Sequence, residues 1–207
     1  MLPYYKPTDT EYLICDLYQT LDINHPHEMD IELIAALWGA DIIYYKGKPK
    51  AHWDEYGSVI FLNQFDSSLK QRADFFHELG HIARHEGHQD DLPDLYVELQ
   101  ELQSWHFALI SAIPYYLLPT PLEMTWSEYV GLLAEEFRVP VEFAAERVDQ
   151  ISSRLDEEYH YYREDTDLMR SKIESAVLMF RSRPPGPSQE TTRLLTQLKY
   201  QTRGTAK

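Results

Sequence analysis

The chain is predicted to adopt an α+β fold, with a small N-terminal sheet, a pair of long helices and an all-helical C-terminal region. Three observations lead there. Runs rich in β-branched and aromatic residues, at 41–45 and Gly57–Asn63, read as strands. Residues 68–85 and 94–113 carry apolar side chains at helical spacing. Beyond Pro114 the apolar pattern is again helical, and no further strand is visible.

The elements follow in order. Residues 11–21 read as a short helix, and His25-Pro26-His27 as a break whose histidines belong to a surface loop. Ile31, Ile34, Ala35 and Trp38 share one helical face over residues 30–38, and Gly39 follows as a stop. The strand at 41–45 ends in the turn Lys46-Gly47-Lys48-Pro49, and residues 51–56 and Gly57–Asn63 complete the sheet. A helix over 68–85 comes next, then a polar loop over 86–93. A second helix over 94–113 has Pro93 at its start. Residues 115–121 form an apolar crossing punctuated by proline. Two helices, 126–137 and 141–151, are joined at Arg138-Val139-Pro140, and an amphipathic helical stretch covers 152–181. Arg183-Pro184-Pro185-Gly186-Pro187-Ser188 cannot continue a helix and reads as a linker to a frayed tail.

The first long helix contains His77-Glu78-Leu79-Gly80-His81, an H-E-x-x-H spacing. Positions i and i+4 lie about 40° apart around a helix and one turn along it, so both imidazoles can aim at one metal ion. Glu78 then sits beside the ion rather than on it. A bound metal lowers the pKa of a water ligand to about 7, and a neighbouring carboxylate can take that proton. Two histidines do not complete such a site, which needs a third protein ligand. The three-histidine continuation fails, because Arg84 and Gly87 stand where it requires Gly and His. A carboxylate from the 94–113 helix remains, offered by Asp94, Glu98 or Glu101.

With these residues in hand, the sequence resembles the ImmA/IrrE family of metallo-endopeptidases, which cleave phage-type and damage-response repressors. The resemblance runs from Val59-Ile60-Phe61-Leu62-Asn63 through Arg72 and Phe76-His77-Glu78-Leu79-Gly80-His81. It continues with Glu101-x-x-x-Trp105-x-Phe107-Ala108 and Ala112-Ile113-Pro114. It closes with Leu133-Ala134-x-x-Phe137-x-Val139-Pro140-x-x-x-Ala144-x-x-Arg147-Val148. It covers roughly residues 25–150.

The resemblance implies a zincin-like catalytic fold in which His77, His81 and Glu101 hold Zn²⁺ and Glu78 is the general base. The register of Phe107-Ala108 to Pro114 selects Glu101, with Glu98 as the nearest rival. The family commonly has Glu-Ala-Asn before its Phe-Ala, where this chain has Gln103-Ser104-Trp105. Trp105 thus replaces a polar residue of the kind that often orients a histidine ligand. An indole only donates, so an acceptor for the histidine must come from elsewhere. For a donor to the developing oxyanion, Tyr56, His106 and His160 are nominal candidates.

Composition narrows the setting. The 207 residues suffice for one full core plus a helical appendage. No basic n-region with an apolar run opens the chain, no stretch of 18 apolar residues occurs, and a lone Cys15 suits a reducing compartment. A cytoplasmic protein is expected. The net charge of −15 argues against direct nucleic-acid binding. It is uneven: Arg181, Arg183, Arg193, Lys199, Arg203 and Lys207 face only Glu190 in the last 27 residues, leaving −20 on the rest. An acidic body of this kind could attract a basic DNA-binding protein. The helix pair 126–151 carries Glu128, Glu135, Glu136, Glu142, Glu146 and Asp149 against Arg138 and Arg147, so it reads as packing rather than DNA-reading structure.

The expected organisation is a zincin-like catalytic domain over 1–121, a helical region over 122–182 with a helix-turn-helix-like pair, and a linker with a basic tail over 183–207. Residue chemistry alone reaches a cytoplasmic metallohydrolase, whose bond need not be a peptide. The family resemblance makes it a zinc endopeptidase that cuts a helix-turn-helix repressor. The opposing reading is a weak or inactive zincin-like protein that regulates by binding other proteins. Glu78 weighs against it, because a purely structural zinc site has no use for a general base.

Overall fold

Thr8 starts α1 (Asp9–Gln19) through a reciprocal cap: its hydroxyl accepts from Glu11 N–H, and the Glu11 carboxylate accepts back from Thr8 N–H. The computed structural model describes residues 5–84, 93–121 and 124–162, the last four as backbone. Asp30 caps α2 (Ile31–Leu37) one way, its carboxylate accepting from the Glu32 and Leu33 N–H groups, and Gly39 follows at φ 62°, a left-handed value that glycine reaches without strain. His25 and His27 stack on each other across an exposed 3₁₀ turn, as a surface loop should.

Three strands follow: β1 (Ala40–Tyr45), β2 (Lys50–Asp54) and β3 (Gly57–Asn63). Their order is β1-β3-β2, with β1 parallel and β2 antiparallel to the central β3. The edge strand β2 is therefore not beside its sequence neighbour β1. Alternation on β3 turns Ile60 and Leu62 inward at 0% exposure, onto α3 (Ser68–Arg84).

From α3, Phe75, Phe76 and Leu79 are fully buried, each contributing roughly 1.5–3 kcal/mol by leaving water. α4 (Asp94–Ala112) crosses α3 at Gly80. A Cβ there would lie 2.7 Å from Ser104 O and 2.9 Å from Ser104 Cα, so only glycine lets the two backbones approach this closely.

A second capping box, Thr125 with Glu128, opens α5 (Trp126–Glu136). It ends in a left-handed turn at Arg138 (φ 55°), where Val139 N–H reaches back to Ala134 O. α6 (Val141–Tyr162) then runs unbroken past Ile151, where the sequence reading divides it in two. No Gly or Pro lies inside it to stop it. Phe137, Val139, Phe143, Val148 and Leu155 join one continuous core with the earlier elements. The α5–α6 pair packs against itself and against α4. Buried Arg72 of α3 fastens its turn by donating to Phe137 O and Met29 O.

The architecture is α+β. Among the described residues no helix is long and apolar enough to cross a membrane. Most of the 86–93 loop lies outside the described residues. So do the 152–181 stretch beyond Tyr162, the proline-rich linker and the basic tail.

Candidate metal centre

The α3–α4 crossing brings together residues 20 and more positions apart in the chain. His77 and His81, one turn apart on α3, turn their Nε2 atoms toward each other at 3.3 Å. Glu101 on α4 reaches both, with Oε2 at 3.2 Å from His77 Nε2 and Oε1 at 3.5 Å from His81 Nε2. Their potential ligand atoms all lie within 4.8 Å of one another. Two imidazole nitrogens and one carboxylate around a common point are a donor set suited to zinc, leaving a fourth position open. Glu98 is exposed and stands outside this group. Gln103 faces away, into a cavity on the far side of α4, as its position about 200° from Glu101 requires.

Glu78 is buried beside the three. Burial pushes its carboxyl up to about 7, and the charge on Glu101 adds to this. His77 and a backbone N–H of Ala51 act in the opposite direction without overcoming it. The Ala51 contact also places Glu78 against β2, the edge of the sheet. Burial would lower the His77 imidazole, but its hydrogen bond with Glu101 and the carboxylates of Glu78 and Asp74 outweigh it and raise its pKa.

Around the donors the two histidines differ. His81 Nδ1 lies 3.0 Å from the hydroxyl of fully buried Ser104. A neutral His81 that frees Nε2 for a metal carries its proton on Nδ1 and donates it to that hydroxyl. His77 Nδ1 is buried with no hydrogen-bond partner among the described residues. Sequence reasoning does not find Ser104, although it follows Glu101 by three residues and so shares its side of α4. Of the nominal oxyanion donors, Tyr56 is 89% exposed at the β2–β3 turn. His106 lines the far-side cavity with Tyr5, Glu11, Arg84 and Arg147, and the His160 side chain lies outside the described residues.

Paired helices under a small sheet, with a buried acid next to a three-donor cluster, define a metallopeptidase type of protein. Comparison with known proteins agrees. The chain belongs to the Peptidase M78 family, described as the IrrE N-terminal-like domain, which matches residues 23–149. It is 33% identical over 150 residues to the phage-like element PBSX protein XkdA of Bacillus subtilis (strain 168), covering 70% of this chain and 73% of the relative. It is 29% identical over 148 residues to an uncharacterised protein of the same organism, YqaB, covering 70% and 84%. No solved structure matches the chain. A metallopeptidase family implies a metal, and the donor cluster offers one place for it.

Proposed function

We propose that the protein is a zinc-dependent endopeptidase that cuts a helix-turn-helix repressor inside the cell and so releases the genes the repressor silences. The convergence of His77, His81 and Glu101 with buried Glu78 at their side carries this reading. Those three residues would hold Zn²⁺, which when bound acidifies water and polarises a carbonyl. Glu78 accepts the proton from water at its carboxylate and hands it to the departing amine. An extended substrate segment adds to the β2 edge, because Ala51 of that strand contacts Glu78 and so brings the base to the edge.

Support for a repressor as substrate comes from the acidic body, which attracts a basic DNA-binding protein, and from the phage-like element to which the relative XkdA is assigned by name. No direct contact with nucleic acid is needed. The test uses the full chain loaded with zinc and a purified helix-turn-helix repressor encoded beside its gene. One cut is expected, abolished by a chelator. An intact repressor under zinc-loaded conditions would overturn the assignment of substrate.

Metal binding is separable from cleavage. His77→Ala and His81→Ala should each lose the zinc, measured by elemental analysis of purified protein, and full occupancy in either would remove these residues as ligands. Ser104→Ala should keep the zinc but weaken its binding about 10- to 100-fold in competition with a chromogenic chelator. Unchanged affinity would reduce the Ser104 contact to packing.

A further inference from the structure

His77 is held differently from its partner ligand. Its Nδ1 has no acceptor among the described residues, and its ring has Trp105 as a neighbour, 5.9 Å away between centroids at a 56° tilt. Trp105 is itself fixed from α6. Its indole N–H donates to Glu146 Oε2 at 2.6 Å, and its ring meets Phe143 edge-on at 5.3 Å. Both imidazoles face Glu101 through Nε2, but behind them the Nδ1 of His81 meets the Ser104 hydroxyl while His77 has the Trp105 ring as a neighbour.

We propose that Trp105 and Glu146 are positioning residues for the metal centre: the Glu146 carboxylate anchors the indole, and the indole holds the His77 imidazole with Nε2 toward Glu101. The Glu146–Trp105–His77 chain links α6 to α3 across α4, so the set of α6 tunes how tightly one ligand is presented. Glu146 is exposed, so replacing it removes the anchor without opening the core. The proposal rests on the metal-centre reading above, and its test separates the two.

Zinc affinity is measured by chelator competition, and ligand geometry by the visible absorption of the Co²⁺-substituted protein. Glu146→Ala is expected to weaken zinc about tenfold and to shift the cobalt bands, while Glu146→Gln, which retains an acceptor for the indole, restores both. Trp105→Ala should weaken zinc by more than Glu146→Ala. Wild-type affinity and an unchanged cobalt spectrum in Glu146→Ala, with Ser104→Ala weakened, would overturn the proposal and leave the metal centre standing. Equal loss in Glu146→Ala and Glu146→Gln would overturn it as well, because charge rather than the anchor would then be responsible. Failure of the wild type to bind either metal would overturn the metal centre itself.

Discussion

Glu78→Gln is expected to retain zinc and fold while cleavage falls by about 10²- to 10⁴-fold, the usual scale of a lost general base. The amide matches the carboxylate in shape and can still accept from the Ala51 N–H, so the position beside the donors is kept. What it cannot do is take a proton from water. Burial pushes the Glu78 carboxyl up to about 7, and a bound cation would bring it down toward the carboxylate form a base requires. The measurement pairs elemental analysis with a single-turnover cleavage assay. Cleavage near the wild-type rate would assign the base to another group. Loss of the zinc would make Glu78 a ligand.

Parts of this centre are legible in the sequence because they are local. His77 and His81 share a helix, and their spacing alone fixes their common face. Glu101 is reached from another helix. Periodicity leaves it equivalent to Glu98, since the two lie about 60° apart on α4. Only the family register separates them, and the structure brings Glu101, not Glu98, to the histidines. Ser104 and the edge position of β2 depend on contacts between elements: the first on the close crossing at Gly80, the second on β2 pairing beyond β3. Nothing in a local pattern encodes either. The unbroken run of α6 was open to reading, because no residue inside it disfavours helix strongly.

Trp105 shows how far an expectation from pattern carries. An indole cannot accept a histidine N–H, and the described residues supply an acceptor for His81 in Ser104. His77 Nδ1, on the ring beside Trp105, is buried without a partner among the described residues. A hydroxyl placed by the helix crossing does for one histidine what aromatic packing must do for the other.

Arg147→Met is expected to destabilise the fold by about 3–5 kcal/mol, the scale for leaving one member of a buried ion pair alone. Arg147 is 0% exposed and Glu11 2%, and their charged groups meet at 2.6 Å. The guanidinium also donates from Nε to Ile113 O, at the end of α4, so it ties α1, α4 and α6 together. Burial alone would raise the Glu11 carboxyl. Arg147, the Tyr5 hydroxyl and the Thr8 N–H outweigh that and hold it below its ordinary 4.5. Because the folded-state pKa is lowered, the contribution to stability is present above that value and is lost as pH falls through the folded one. Urea unfolding near neutral pH should therefore show the full difference between wild type and Arg147→Met, and the difference should shrink in acid. Adding Glu11→Leu to Arg147→Met should recover most of the loss, since no uncompensated charge then stays buried. A loss below about 1 kcal/mol in the single variant would mean that Glu11 is rehydrated through the adjacent cavity of about 370 Å³, which both residues line, and that the pair does not anchor the core.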